Sequence, residues 1–201
     1  VLGGGVLDGA GAWRRLRPGE IVLGYEDEEG AFDGAPLLRN GSFFVLRKLE
    51  QHVGRFHEWL DAEVDRLASP DIDKQRLASW LMGRGFDGDP LMDLDASSQP
   101  NAFRYAQDPN GAKCPFGSHI RRTNPRDVAG RLADRSDRHR MLRRSLMYAE
   151  DEAGRYVAVR RSAGQLLLRG EAPPEPATAA RYGMLFGCFC ADIGRQFEVV
   201  Q

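Results

Sequence analysis

The stretch Asn40–Leu67, NGSFFVLRKLEQHVGRFHEWLDAEVDRL, changes its hydrophobic period partway along. Asn40-Gly41 is a turn signal, and Ser42–Leu49 after it reads as a strand. From Leu49 the period lengthens. Leu49, Val53, Phe56, Leu60, Val64 and Leu67 recur at spacings of three and four, on one face of a long helix. Ser69-Pro70-Asp71 interrupts that helix, and Asp71 and Asp73 are N-cap candidates for a second helix through Leu81.

Working outward, residues 1–19 are rich in Gly and Arg and read as an irregular arm. Ile21–Tyr25 is a short apolar strand candidate, and Glu26–Pro36 is an acidic, Gly-rich loop. From Gly83 to Arg138 the apolar periodicity fades while Gly, Pro, Asp and Asn accumulate. So long a stretch with little regular structure is uncommon unless it serves a site or is pinned by a ligand. Met141–Tyr148 reads as a strand, and Tyr156–Val159 and Gln165–Leu168 are short strand candidates. Glu171–Pro176 is a Pro-rich loop, Tyr182–Cys190 a buried strand, and Ala191–Gln201 a helix with Ile193, Phe197 and Val200 on one face. Strand, helices, strand, strand, helix suits an α+β ferredoxin-like unit, an antiparallel sheet with helices on one face. On this reading residues 1–36 are an arm and loop, and 37–201 are the domain, with 83–138 as its long loop. A closing strand would fall beyond Gln201.

Composition narrows the function classes. The 201 residues are 42% hydrophobic and 28% charged, as in an ordinary globular domain. Formal net charge is −1, which gives no electrostatic case for nucleic acid or an anionic membrane surface. No apolar run approaches the roughly 18 residues of a membrane-spanning helix. The three cysteines, Cys114, Cys188 and Cys190, are too few for a disulfide framework, include no CxxC pair, and read as small buried apolar residues. The chain begins at Val1 with no visible signal peptide, so its localisation is left open.

The chemistry is concentrated in Asp108–Asp127, DPNGAKCPFGSHIRRTNPRD. His119 sits between the small residues Gly117-Ser118 and the cationic cluster Arg121, Arg122 and Arg126. A lone histidine is more often structural than a ligand. Here a Pro- and Gly-rich loop places it beside guanidiniums able to hold an anion. Haem needs both, an imidazole for iron and guanidinium forks for propionates.

Cys114-Pro115-Phe116-Gly117-Ser118-His119-Ile120-Arg121-Arg122-Thr123-Asn124-Pro125-Arg126-Asp127 resembles the proximal-histidine motif of dye-decolorizing peroxidases. Other segments resemble that family in the same order. They are Pro18–Tyr25, Asn40–Phe43 with Arg47–Leu49, Met82–Arg84 with Asp89–Leu91, His139–Arg144, and Leu185–Gln201. The resemblance covers nearly the whole chain and looks like the C-terminal half of such a protein.

It implies a haem b-dependent peroxidase that uses hydrogen peroxide to oxidise a bulky organic reductant such as a dye. His119 would be the axial iron ligand, and Arg121, Arg122 or Arg126 would meet the propionates. Arg143 would be the distal arginine, five residues before Tyr148; Arg144 beside it points to the opposite strand face. Asp192 is either the carboxylate that accepts the other His119 ring N–H or a helix N-cap. The family's distal acid lies in a GF-x-DG motif. Gly5-Val6-Leu7-Asp8-Gly9 fits GxxDG literally but lacks the Phe and the downstream Pro, so Asp8 is assigned to a Gly-rich loop; Gly85-Phe86-Asp87-Gly88 reads as a turn. The expected partners are hydrogen peroxide and an organic reductant, with a second copy of the chain or a complementary N-terminal half. The alternative is a non-catalytic haem-binding or assembly fragment, needing another chain or segment for the distal Asp.

Overall fold

In the computed structural model the residues described are 5–7, 12–32, 36–93, 101–127, 136–157 and 181–201. The arm carries a small hairpin rather than irregular chain alone: β1 (Gly5–Leu7) pairs antiparallel with β2 (Trp13–Arg15). The strand expected at Ile21–Tyr25 does not form. Pro18–Glu20 is a 3-10 turn, and the N–H of Ile21 and of Val22 both return to the Pro18 carbonyl. Leu23 alone pairs outward, with Gly41 and Asn40, and Gly24 follows at φ 84 with Arg39 packed against it. A fixed proline φ at the entrance and a left-handed glycine at the exit turn the apolar run into a tight bend.

The deciding stretch forms the expected strand and helix, but the strand runs two residues past Leu49, so Leu49 lies on it rather than on the helix, and Leu67 at the helix end is exposed. β3 spans Phe43–Gln51 and α1 spans Val53–Leu67. Leu60 is fully buried, and Val53, Phe56 and Val64 are half-buried beside it on the apolar stripe. The helix stops at Ala68, left-handed at φ 47, whose N–H reaches the Val64 carbonyl at 3.1 Å. Asp73 caps α2 (Lys74–Met82), its Oδ1 accepting the Arg76 N–H at 2.7 Å.

β4 (Leu142–Glu150), β5 (Tyr156–Val157) and β6 (Arg181–Cys190) complete an antiparallel sheet in the order β3-β6-β4-β5. β4 and β5 form a hairpin with Glu150 opposite Tyr156. β6, the last strand in sequence, lies between β3 and β4, and the α+β reading holds. The strand candidate Gln165–Leu168 and the loop Glu171–Pro176 lie outside the described residues, as do Ala158 and Val159.

By contacts the chain forms two compact units. One comprises Val1–Val45, Trp80–Leu142 and Cys188–Gln201; the other comprises Leu46–Ser79 and Arg143–Gly187. Inside the second, Gly183 on β6 leaves no room for a side chain, since a Cβ would meet the Leu49 carbonyl and the Tyr148 ring. Lys48 pairs there with the buried Glu150 and lies over the Tyr148 ring at 4.9 Å. Inside the first, Met92, Phe103, Tyr105 and Cys114 make a core with Leu91 and Ile120 against it. That core is drawn from the long loop itself, at spacings with neither helical nor strand period.

Candidate functional site

The loop that carries His119 is fixed by one buried ion pair. Asp108 and Arg121 have side chains only 4% and 3% exposed, and meet at 2.9 Å. Asp108 Oδ1 accepts the Ala112 N–H at 2.8 Å, and Oδ2 accepts the Cys114 N–H at 3.0 Å. Arg121 Nη1 donates to the Cys114 carbonyl at 2.6 Å and Nη2 to the Asp108 carbonyl at 2.8 Å. Its guanidinium lies over Tyr105 and Phe116 at 4.7 and 4.4 Å. Burial alone would raise the Asp108 pKa. The three backbone N–H groups of residues 112–114 and Arg121 outweigh it, holding the carboxyl below its ordinary range. Arg121, expected at a ligand, is instead a structural cation inside the loop. Such a buried pair needs further hydrogen bonds to offset its desolvation, and here backbone N–H groups and carbonyls provide them.

Ser118 precedes the short helix α3 (His119–Thr123), in an extended conformation at φ −61, ψ 143. Its hydroxyl is turned away from the helix end and meets Cys114 Sγ at 3.0 Å in the buried interior. His119 is the first helical residue and is exposed, as is Arg122. Ile120 packs inward on Gly83, which sits at φ 85; a Cβ there would overlap the Ile120 side chain. The Gly83-Arg84 turn after α2 is thereby seated against the helix that carries the histidine.

Arg126 is half-buried, with φ 58, a left-handed conformation costly for a large side chain. Nη1 donates to the Asn101 carbonyl at 2.7 Å and the Phe103 carbonyl at 3.3 Å, and the guanidinium lies 3.8 Å from the Phe103 ring centre. Arg84 donates to the Asn101 side chain at 2.7 Å and lies 5.6 Å from the same ring. Burial, with Arg140 and Arg84 near by, pushes the Arg126 guanidinium down to about 10, still cationic at neutral pH.

Asp192 does what a helix cap does. Its Oδ1 accepts the Arg195 N–H at 2.9 Å ahead of the π-helical turn Ile193–Glu198, and the residue is exposed. Beside it is a polar knot that the sequence reading passed over. Glu20 is fully buried, with both oxygens 2.9–3.0 Å from Arg195 Nη1. Gln196, also buried, donates to the Glu20 side chain and to the carbonyls of Glu20 and Arg140. Arg195 also holds the Arg138 carbonyl at 3.0 Å. Burial pushes the Glu20 carboxyl up even with Arg195 alongside. The clue was composition: an acid inside an otherwise apolar segment, Glu20-Ile21-Val22-Leu23, with no neighbouring base.

Arg143 and Arg144 are successive exposed residues of β4 and belong to the second unit. Asp8 lies outside the described residues. Asp87 makes the turn expected of it, Oδ1 accepting the Asp89 N–H at 3.0 Å. Among the described residues no group of three His, Cys, Asp or Glu side chains is placed to hold a metal ion, and no helix is long and apolar enough to cross a membrane.

No protein-family profile matches the chain. The multifunctional dye peroxidase DyP2 of Amycolatopsis sp. is 37% identical over 96% of this chain and 39% of its own length. The dye-decolorizing peroxidase msp1 of Mycetinis scorodonius is 28% identical over 68% of this chain and 28% of its own length. The solved structure of Amycolatopsis DyP2 superposes over 97% of this chain and 40% of that one, with TM-score 0.65 and 30% identity. A DyP-type peroxidase from Anabaena superposes over 79% of this chain and 31% of that one, with TM-score 0.55 and 30% identity. The chain thus spans about two-fifths or less of the length of these relatives. By sequence and by fold, it belongs to the family of dye-decolorizing, DyP-type peroxidases.

Proposed function

We propose that this chain is the haem-binding part of a peroxidase, with His119 as the axial ligand to iron. The observation that carries the reading is the presentation of His119. An exposed imidazole heads a five-residue helix whose loop is locked from beneath by the buried Asp108–Arg121 pair. A ligand must be held in place by packing and hydrogen bonds behind it, and that backing is present. The donor set also fits haem: an imidazole for iron, with guanidiniums on the same loop for carboxylates.

Bound there, haem would supply the two-electron reduction of hydrogen peroxide, balanced by two successive one-electron oxidations of an organic reductant. The chain's residues do the rest. His119 presents Nε2 and must stay neutral to do so. Asp192, with Oδ1 committed to the Arg195 N–H and Oδ2 3.9 Å from Arg195 Nε, offers Oδ2 as the candidate acceptor for the other His119 ring N–H, which would make the imidazole more basic. Arg143 is assigned to peroxide: a permanent cation there favours the peroxide anion over neutral peroxide. Arg122 and Arg126 are assigned to the propionates, whereas Arg121 is withdrawn from that role because its Nη1 and Nη2 are buried and donate to the Asp108 carboxylate and to two carbonyls. The proton acceptor for peroxide is assigned to a segment or partner chain carrying the family's distal acid.

The test is peroxide-dependent bleaching of an anthraquinone dye by the polypeptide loaded with haemin. Turnover that falls at least about 100-fold in Arg143→Leu, in the range of a lost general acid–base or electrostatic contribution, supports the assignment. A Soret band without bleaching marks a haem-binding fragment instead, and unchanged turnover in the variant contradicts the role of Arg143.

A further inference from the structure

Three carboxylates converge on one guanidinium at the π-helical turn Ile193–Glu198, and they hold it unequally. Fully buried Glu20 keeps both oxygens 2.9–3.0 Å from Arg195 Nη1. Asp27 stands 3.7 Å from Nη2, and Asp192 Oδ2 stands 3.9 Å from Nε, beyond hydrogen-bond reach. The Glu20 oxygens accept from two further donors, the Glu28 N–H at 3.0 Å and Gln196 Nε2 at 3.0 Å. A surround of donors suits the ionised carboxylate, which only accepts. Gln196, also fully buried, pins the Asp192 backbone from the other side. Its Oε1 accepts the Ala191 N–H at 2.8 Å and the Asp192 N–H at 2.9 Å, while its Nε2 donates to Glu20. Burying an ion pair gains little stability over an apolar replacement of the same volume. What this pair achieves is local. A guanidinium with Asp192 as its only acid would close on that side chain and take its outer oxygen. With Glu20 and Asp27 holding Arg195 on its far side, Asp192 keeps a fixed backbone and an open Oδ2.

We propose that Glu20, aided by Asp27, is a positioning residue for the iron ligand: by occupying Arg195 it leaves Asp192 Oδ2 available to the His119 ring N–H. This rests on the haem reading and on the role given there to Asp192. Glu20 acts through Arg195 and Asp192, without touching the imidazole. Loss of its charge lets Arg195 pair with Asp192 Oδ2. The imidazole then loses its acceptor and becomes a weaker donor to iron, which disfavours the ferric state.

The test reads the ferric/ferrous midpoint potential of the haemin-loaded polypeptide, with the ferrous iron–histidine stretch by resonance Raman beside it. Asp192→Asn should raise the potential by about 59 mV, a tenfold shift of a one-electron equilibrium, the lower end of what such an outer partner contributes. It should also lower the stretching frequency. Glu20→Gln should move both readings in the same direction by a similar amount, and Glu20→Asp, which keeps the charge, should stay nearer the unmodified protein. Asp27→Asn provides a variant that preserves its turn, because Oδ1 still accepts the Glu29 and Ala31 N–H groups; it should give a smaller shift of the same sign. These shifts should vanish when Asp192→Asn is already present. Glu20→Gln and Asp27→Asn at the unmodified potential, with Asp192→Asn shifted, overturn the positioning role alone. So do shifts that persist in full on the Asp192→Asn background, since those would be general disturbance of the fold. An unmoved potential in Asp192→Asn overturns the proposal together with the role of Asp192. The haem reading fails separately, by haemin binding that His119→Ala leaves unchanged.

Discussion

At the scale of single residues, the most consequential group is Asp108, which holds Arg121 and three backbone N–H groups of the histidine loop at once. Removing one partner of such a buried pair costs about 3–5 kcal/mol. Asp108→Ala should therefore lower the unfolding free energy by roughly that amount, read from urea denaturation at pH 7. Because its folded pKa is lowered, its stabilisation is fully present above the unfolded value, near 4, and is lost as pH falls through the folded pKa. The unmodified protein should lose stability on acidification below about pH 4, and the variant should lose less over that interval. Glu20 has the opposite sign. Its folded pKa is raised by burial, so its titration erodes stability as pH rises above the unfolded value. Tyr105 makes a third residue-level case. Its ring is fully buried and its hydroxyl has no hydrogen-bond partner among the described residues. An unpaired buried polar group costs about 1–3 kcal/mol, so Tyr105→Phe should raise the melting temperature rather than lower it.

At the scale of elements, the readable features were those with a period or a punctuation mark. The β3–α1 passage declared itself by its change of period, and Asp73 by its place ahead of α2. The hairpin β1–β2 and the bend at Ile21–Tyr25 were misjudged for physical reasons. Three-residue strands have no period to detect, and an apolar run of five residues does not show where its backbone hydrogen bonds go. The small core of Met92, Phe103, Tyr105 and Cys114 is illegible for a related reason: its members come from irregular chain, where Asp108 ties the Tyr105 and Cys114 backbone together. His119 stands out as a candidate in the sequence because its motif is contiguous. The separation of Arg121 from Arg126, one turned inward to an acid and the other to neutral carbonyls, depends on contacts distant in sequence. A prediction belongs here too. Gly183 on β6 sits where a methyl group would strike the Leu49 carbonyl and the Tyr148 ring. Gly183→Ala should destabilise the sheet by about 1–3 kcal/mol, as overpacking does, measured by thermal unfolding, with no change in Arg143 chemistry demanded.

At the scale of the whole molecule, the chain corresponds to 39% of the length of Amycolatopsis DyP2, and the chemistry assigned to it divides accordingly. The residue proposed as iron ligand and the arginines assigned to the propionates are among its residues; the proton acceptor for peroxide is assigned elsewhere. Binding and turnover are therefore separable properties of this polypeptide, and binding is the one its own residues must supply. The direct measurement is a haemin titration of the polypeptide, followed by absorbance in the Soret region, alongside His119→Ala. The account predicts a saturable, one-to-one Soret band of a histidine-ligated haem in the unmodified chain, absent or shifted to that of free haemin in the variant. A band of the same position and affinity in both proteins would contradict it.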